Sequence, residues 1–142
     1  MIAATADQKS TGIVWAVDDY QEIQVTGTLL TIGTGSANTD KIIDQNGVGI
    51  TYAAGLARAY PGGGYDDWFL PSKDELNKLW ISKDVIGSFA AQWYWSSSES
   101  TLLAYSPSDH VWIQCFTGTG ETNPWVNCKH WATIYVRAIR AF

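Results

Sequence analysis

Two cysteines, two histidines and the adjacent aspartates Asp66-Asp67 are the side chains best suited to bind a metal or attack a substrate. Cys115, Cys128 and His130 have the ligand chemistry of a zinc site, but no paired C-x₂-C spacing accompanies them. His110 and His130 read as isolated from acidic or Cys partners at ligand spacing. Asp66-Asp67 offers carboxylates to an oxygen-seeking cation such as Ca²⁺, but a turn before a core Trp68 is the better reading. Ser96-Ser97-Ser98 lacks the flanking glycines of a nucleophile elbow, so its hydroxyls are expected to bond neighbouring backbone. The reading is therefore no catalytic residue, no metal and no cofactor. Whether Cys115 and Cys128 pair as a disulfide depends on their meeting in a sheet.

The elements that must position these residues are uneven in strength. Residues 1–11 are small and polar and read as a flexible N-terminus. Residues 12–142 read as a single domain. Gly12 to Val17 is a short apolar run with the look of a buried strand. Gln21 to Thr34 reads as strand or extended loop. Asn38 or Thr39 is placed to cap a helix through Asp44. Thr51 to Tyr60 puts Ala53, Leu56, Ala57 and Tyr60 on one helical face, and Pro61-Gly62-Gly63-Gly64 ends it. Ser72 and Glu75 form a capping box for a helix from Lys73 into the low 80s. Trp93 to Ser98, Val111 to Phe116 and Ile134 to Phe142 read as strands. The fold class is α+β, with two or three helices on a small, mostly antiparallel sheet with long loops.

Composition narrows the function. Charged residues are 16% of 142 positions, against roughly 25% in an average soluble protein. Net charge is -5 with only nine Lys and Arg, so no basic stripe for nucleic acid is present. Mean hydropathy is -0.10, and no run of about 18 apolar residues offers a membrane span. No signal peptide is visible. Between Ser100 and Tyr135 only Asp109, Glu121 and Lys129 are charged, while Ser, Thr, Asn, Tyr, Trp and Gly fill 17 of 36 positions. Antibody paratopes use this mixture because Tyr and Trp give area at low entropy cost and small polar residues adapt their hydrogen bonds. Arg137 and Arg140 lie an odd number of residues apart, hence on opposite strand faces. At least one should be buried against Glu75, Asp67 or Glu99, as a clasp between helix and last strand.

Ordered motifs run through most of the chain: Gly12-Ile13-Val14-Trp15, Ile32-Gly33-Thr34-Gly35-Ser36-Ala37-Asn38-Thr39, Gly63 through Leu76, Tyr94-Trp95-Ser96-Ser97-Ser98-Glu99, and Val136 through Phe142. In these the chain resembles the C-terminal domain family of the Legionella collagen-like adhesin. The resemblance implies a C-type-lectin-like fold and binding rather than catalysis. It departs from the family between Phe116 and Lys129, where a shorter loop is expected. Some such domains are target proteins of diversity-generating retroelements, whose adenine-directed mutagenesis rewrites AAC codons into many residues but not Trp, Gln, Glu, Lys or Met. All eleven residues from Ser100 to His110 are reachable in this way. Trp112, Gln114, Glu121, Trp125, Lys129 and Trp131 are not, and would be fixed framework.

The resulting expectation is a ligand-recognition domain with a diversified face over about 100–135. Its candidate contact residues are Leu102, Tyr105, Ser106, Asp109, His110, Ile113, Cys115, Thr117, Thr119, Asn123, Asn127, His130, Trp131 and Thr133. Its scaffold residues are Trp68, Ser72, Glu75, Trp95, Glu99, Trp112, Arg137 and Arg140. Trp15 and Trp80 join the core, Trp93 is ambivalent, and Trp125 and Trp131 are exposed anchors. The expected partner is a protein or glycan on a target cell surface. Neither nucleic acid nor membrane insertion is expected. A homotrimer, or a place in a longer fibre protein of a phage tail or cell surface, fits this reading. Two rivals are a generic adhesin for sulfated glycans, which needs a basic groove, and a formylglycine-generating-type enzyme, which needs an organised Cys pair or metal site.

Overall fold

A computed structural model of the chain describes residues 1–117 and 124–142. Among these the architecture is α+β, with four α-helices and two small antiparallel sheets. The elements are β1 (Ile2–Ala3), α1 (Gly35–Asn46), α2 (Ala53–Arg58), α3 (Lys73–Ile81), α4 (Lys83–Ile86), β2 (Trp93–Glu99), β3 (His110–Cys115), β4 (Trp125–Cys128) and β5 (Ile139–Arg140). One sheet is β2-β3-β4 and the other is β1-β5. α4, the helix beyond the two or three expected, is a single turn after α3.

The capping box is formed. Ser72 Oγ accepts from the Glu75 amide, and Glu75 Oε2 accepts from the Ser72 amide at 2.8 Å. Glu75 also accepts from Gly33 N through its other oxygen at 2.9 Å, so the cap ties α3 to the turn before α1. That turn fixes Gly35: a Cβ there would sit 2.2 Å from Glu75 Oε2. Asn38 and Thr39 are not caps but buried residues inside α1, which starts after Thr34. Asn38 bonds both backbone groups of Leu29, and Thr39 Oγ1 accepts from Leu70 N. Their polarity anchors the flanking loops to the helix.

Two strand expectations and the reading of the N-terminus change. Gly12 to Val17 is buried but irregular, because its backbone groups bond three separate segments. Ile13 N donates to Ile134 O, Trp15 N donates to Lys129 O, and Val14 O accepts from Ala53 N. Partners that scattered give no common ladder register. Ile134 to Phe142 is extended, but only Ile139–Arg140 is a strand. Along it the partner changes from β2 at Tyr135 to the N-terminal segment at Val136 and Ala138, then to Phe69 at Ile139. The N-terminal segment is tied down rather than flexible: Ile2 and Ala3 pair with Arg140 and Ile139, and Ala4 is buried.

The larger apolar cluster unites Trp15, Trp68, Trp95, Ile42, Leu70, Val111 and Ile113. Its two central indoles are satisfied, Trp15 Nε1 by Ser96 O at 2.8 Å and Trp95 Nε1 by Ile13 O at 2.7 Å. A second cluster packs Leu76 and Leu79 of α3 on Tyr94, Phe116 and Phe69. The serine run behaves as expected, with Ser96 Oγ donating to Trp112 O and Ser98 Oγ donating to Leu29 O.

The arginines clasp different partners from those expected. Arg137 is buried and bonds Asp7 through Nε at 2.8 Å and Ala4 O through Nη1 at 3.0 Å, with Ser88 O as a further acceptor. Its carboxylate thus comes from the N-terminal segment, not from Glu75, Asp67 or Glu99. Arg140 does hold Asp67, in a two-pronged pair of 2.7 and 2.9 Å, but in solvent. Removing one partner of a buried pair strands a charge. Arg137→Ala is therefore expected to lower unfolding free energy by about 3–5 kcal/mol, measured by urea titration, and Arg140→Ala by clearly less. Equal effects would contradict this difference.

Candidate recognition face

β3 is the central strand of its sheet and is paired on both edges. Tyr94 stands opposite Gln114 and Trp95 opposite Ile113, with a register shift over the serine run before Glu99 meets Val111. On the other edge His110 faces Cys128, Val111 faces Asn127 and Ile113 faces Trp125. β4 lies in the stretch expected to be a short loop. α3 covers one side of β3, and the larger cluster covers the other. Every residue from Val111 to Phe116 is buried in consequence. Ile113 at 2% and Cys115 at 1% exposure are core and cannot be contact residues. Alternation in sequence implied one solvent side, but a strand sandwiched by helix and core has none.

The other candidates divide by exposure. Ser106, His130, Trp131 and Thr133 are exposed, and Leu102, Tyr105, Asp109, His110, Thr117 and Asn127 are half-buried. Thr119 and Asn123 lie outside the described residues. Trp125 and Trp131 are 51% and 49% exposed. Trp15, Trp68, Trp95 and Trp112 are buried, while Trp80 and Trp93 are half-buried.

The loop from 100 to 109 is built from local turns. Ser106 O accepts from both Asp109 N and His110 N, and Ser106 Oγ accepts from Ser108 N. This brings the Tyr105 ring to 5.1 Å from His110 and edge-on to Trp125 at 5.7 Å. His110 is not isolated. Its Nδ1 is 2.9 Å from Asp109 Oδ1, and its Nε2 is 3.4 Å from Cys128 Sγ. The Asp109-His110 adjacency was visible in sequence, but the thiol arrives only through the β3–β4 register. Cys115 and Cys128 are both free, five residues apart in that register. Among the described residues no group of three His, Cys, Asp or Glu side chains is arranged to hold a metal ion. Nearby, His130 overhangs a hollow of about 600 Å³ lined by Asp18, Asp19, Gln21, Glu22 and Ile23.

One buried ion pair closes the base of this face. Lys129 Nζ lies 2.7 Å from Glu99 Oε1, donates to Ile23 O at 2.8 Å, and sits 4.8 Å over the Trp15 ring. Glu99 Oε1 also accepts from Val25 N at 2.7 Å. Glu99 was expected to hold an arginine, whereas Lys129 is its cation. Burial is the dominant influence on both charges: it pushes the Glu99 carboxyl above the ordinary 4.5 and the Lys129 ammonium below the ordinary 10.5. The segment 100–128 is thus bracketed by the two halves of one pair.

No protein-family model matches the chain, and no curated protein matches it.

Lys129→Met strands a buried carboxylate and is expected to cost about 3–5 kcal/mol at neutral pH, with Glu99→Gln/Lys129→Met recovering most of it. The pH dependence has a definite sign. With its pKa raised, Glu99 holds its proton more tightly folded than unfolded. Acidification through that window therefore favours the folded state. The Lys129→Met deficit is expected to shrink between about pH 7 and about pH 5 in urea titrations. A deficit that grows on acidification would contradict the pair's role.

Proposed function

We propose that this chain is a non-enzymatic recognition domain of C-type-lectin-like fold, whose exposed residues within 100–135 bind a protein or glycan on a target cell surface. The observation that carries this reading is Trp125. It is half exposed on β4, braced edge-on by Tyr105, and stands four residues from the buried Lys129 anchor. A large aromatic held in one orientation loses little entropy on binding, and such residues dominate contact energies. Trp131 and the small polar residues Ser106, Asn127 and Thr133 supply the surround. Sparse charge over this segment keeps its desolvation cost low.

The same residues fit the variable protein of a diversity-generating retroelement, displayed on a virion or cell surface. The varied positions are then the loop from Ser100 to His110 and Asn127 of β4, with buried Ile113 and Cys115 excluded and Trp125 fixed. No helix among the described residues is long and apolar enough to cross a membrane.

Tyr105→Ala/Trp125→Ala/Trp131→Ala is the direct test, read on an array of glycans and surface-protein ectodomains. Its affinity for whatever the parent binds is expected to fall by at least about 30-fold. Its melting temperature should stay within about 3 °C of the parent. Undiminished binding, or loss of fold, would sink the reading. Binding to heparin that collapses with salt would favour the sulfated-glycan adhesin instead. A neighbouring reverse-transcriptase gene, with a template repeat differing from the 3′ end at adenines, is the outcome expected at the locus.

A further inference from the structure

Asp109, His110 and Cys128 are aligned in one chain of contacts. A carboxylate only accepts, so Nδ1 of His110 carries the hydrogen toward Asp109, 2.9 Å away, and Nε2 turns its lone pair to Cys128 Sγ at 3.4 Å. Both strands hold this geometry. Asp109 O accepts from Lys129 N at 2.8 Å, its own amide donates to Ser106 O, and His110 and Cys128 are ladder partners. Nucleophile, base and orienting carboxylate thus follow the order that activates a thiol. Cys128 is half-buried, Tyr105 borders His110, and Trp125 meets Tyr105 edge-on.

We infer that Cys128 is a base-assisted nucleophile that captures disulfides by exchange. As Sγ attacks one sulfur of an incoming disulfide, its proton passes to His110 Nε2. The new S–S bond to Cys128 forms while the old S–S bond breaks. The departing thiolate takes the proton from Nε2 and leaves as a thiol. The incoming disulfide is the sole co-reactant, and the product is a stoichiometric mixed disulfide. The chemical class captured is a peptide or protein bearing an accessible disulfide. This activity goes beyond recognition and borrows from it only the seating of the partner.

The base is needed because the surroundings work against free thiolate. Burial and the Asp109 charge push the Cys128 thiol above its ordinary value. Lys129, the neighbouring cation, is engaged by Glu99 and the Ile23 carbonyl, and the remaining neighbour Tyr105 brings a phenol. Exchange should therefore depend on the His110 imidazole in contact with the thiol. Cys115 serves as an internal reference, buried and 2.8 Å from Thr117 Oγ1.

The experiment treats the folded chain with glutathione disulfide and maps adducts by mass spectrometry across pH. Cys128 is expected to be modified while Cys115 is spared. His110→Gln is expected to react at least about 10-fold more slowly at neutral pH, and to climb only as the thiol itself ionises. Asp109→Asn should fall between the two. Preferential modification of Cys115, or a His110→Gln rate equal to the parent's, would overturn the inference. The choice between Cys128 and Cys115 is read in the parent, so it decides the matter even where a variant does not fold. Because the probe is a small disulfide, failure here leaves the recognition reading standing.

Discussion

The buried contact between Lys129 and Glu99 is the constraint on which the candidate face depends. Neither charge repays its desolvation easily, and the displacement of both pKa values in the direction of neutrality expresses that cost. What the pair gains is backbone satisfaction. The irregular loop around Ile23 and Val25 enters the core at Val25, where an unpaired backbone group is expensive. Lys129 takes the carbonyl of Ile23 and Glu99 takes the amide of Val25, while Trp15 lies under the ammonium. One pair thereby locks that loop, the end of β2 and the chain just past β4 to a central tryptophan.

The consequence is a division of labour along the segment 100–135. Its middle, β3, is sealed on both sides and transmits rigidity. Its ends carry the exposed chemistry: the turn-rich loop before His110, the start of β4 at Trp125, and the corner at His130 and Trp131. Diversity is tolerable at these ends because their side chains pack on one another or on water. At Ile113 or Cys115 it would open or overfill the core. The same arrangement sets Cys128 and His110 opposite each other, at the ladder position nearest the Lys129 anchor.

The tryptophans follow this division. Trp15, Trp68, Trp95 and Trp112 are interior while Trp80, expected in the core, is half-buried, and two of the interior ones have their indole hydrogens accepted by backbone carbonyls of distant segments. Trp125 and Trp131 lie where the sequence offers no periodicity to bury them, and both stand half in solvent. Aromatic content alone did not separate the groups, but local pattern did.

Short-range physics made part of the protein legible from sequence alone. The capping box at Ser72 and Glu75, the length of α3 and the two long strands all follow from side chains acting on residues a few positions away. Tertiary structure alone decided the remainder. Asp7 reaches Arg137 across the whole chain, Lys129 reaches Glu99 across a loop, and Asn38 and Thr39 are drawn from cap to core by loops that need their polar groups. The register that sets Cys128 against His110 belongs to the same class, because strand pairing depends on loop closure and two-sided burial. Such long-range pairings leave no periodic mark in the sequence. They depend on which buried polar group finds a partner, and that is decided only when the whole chain has packed.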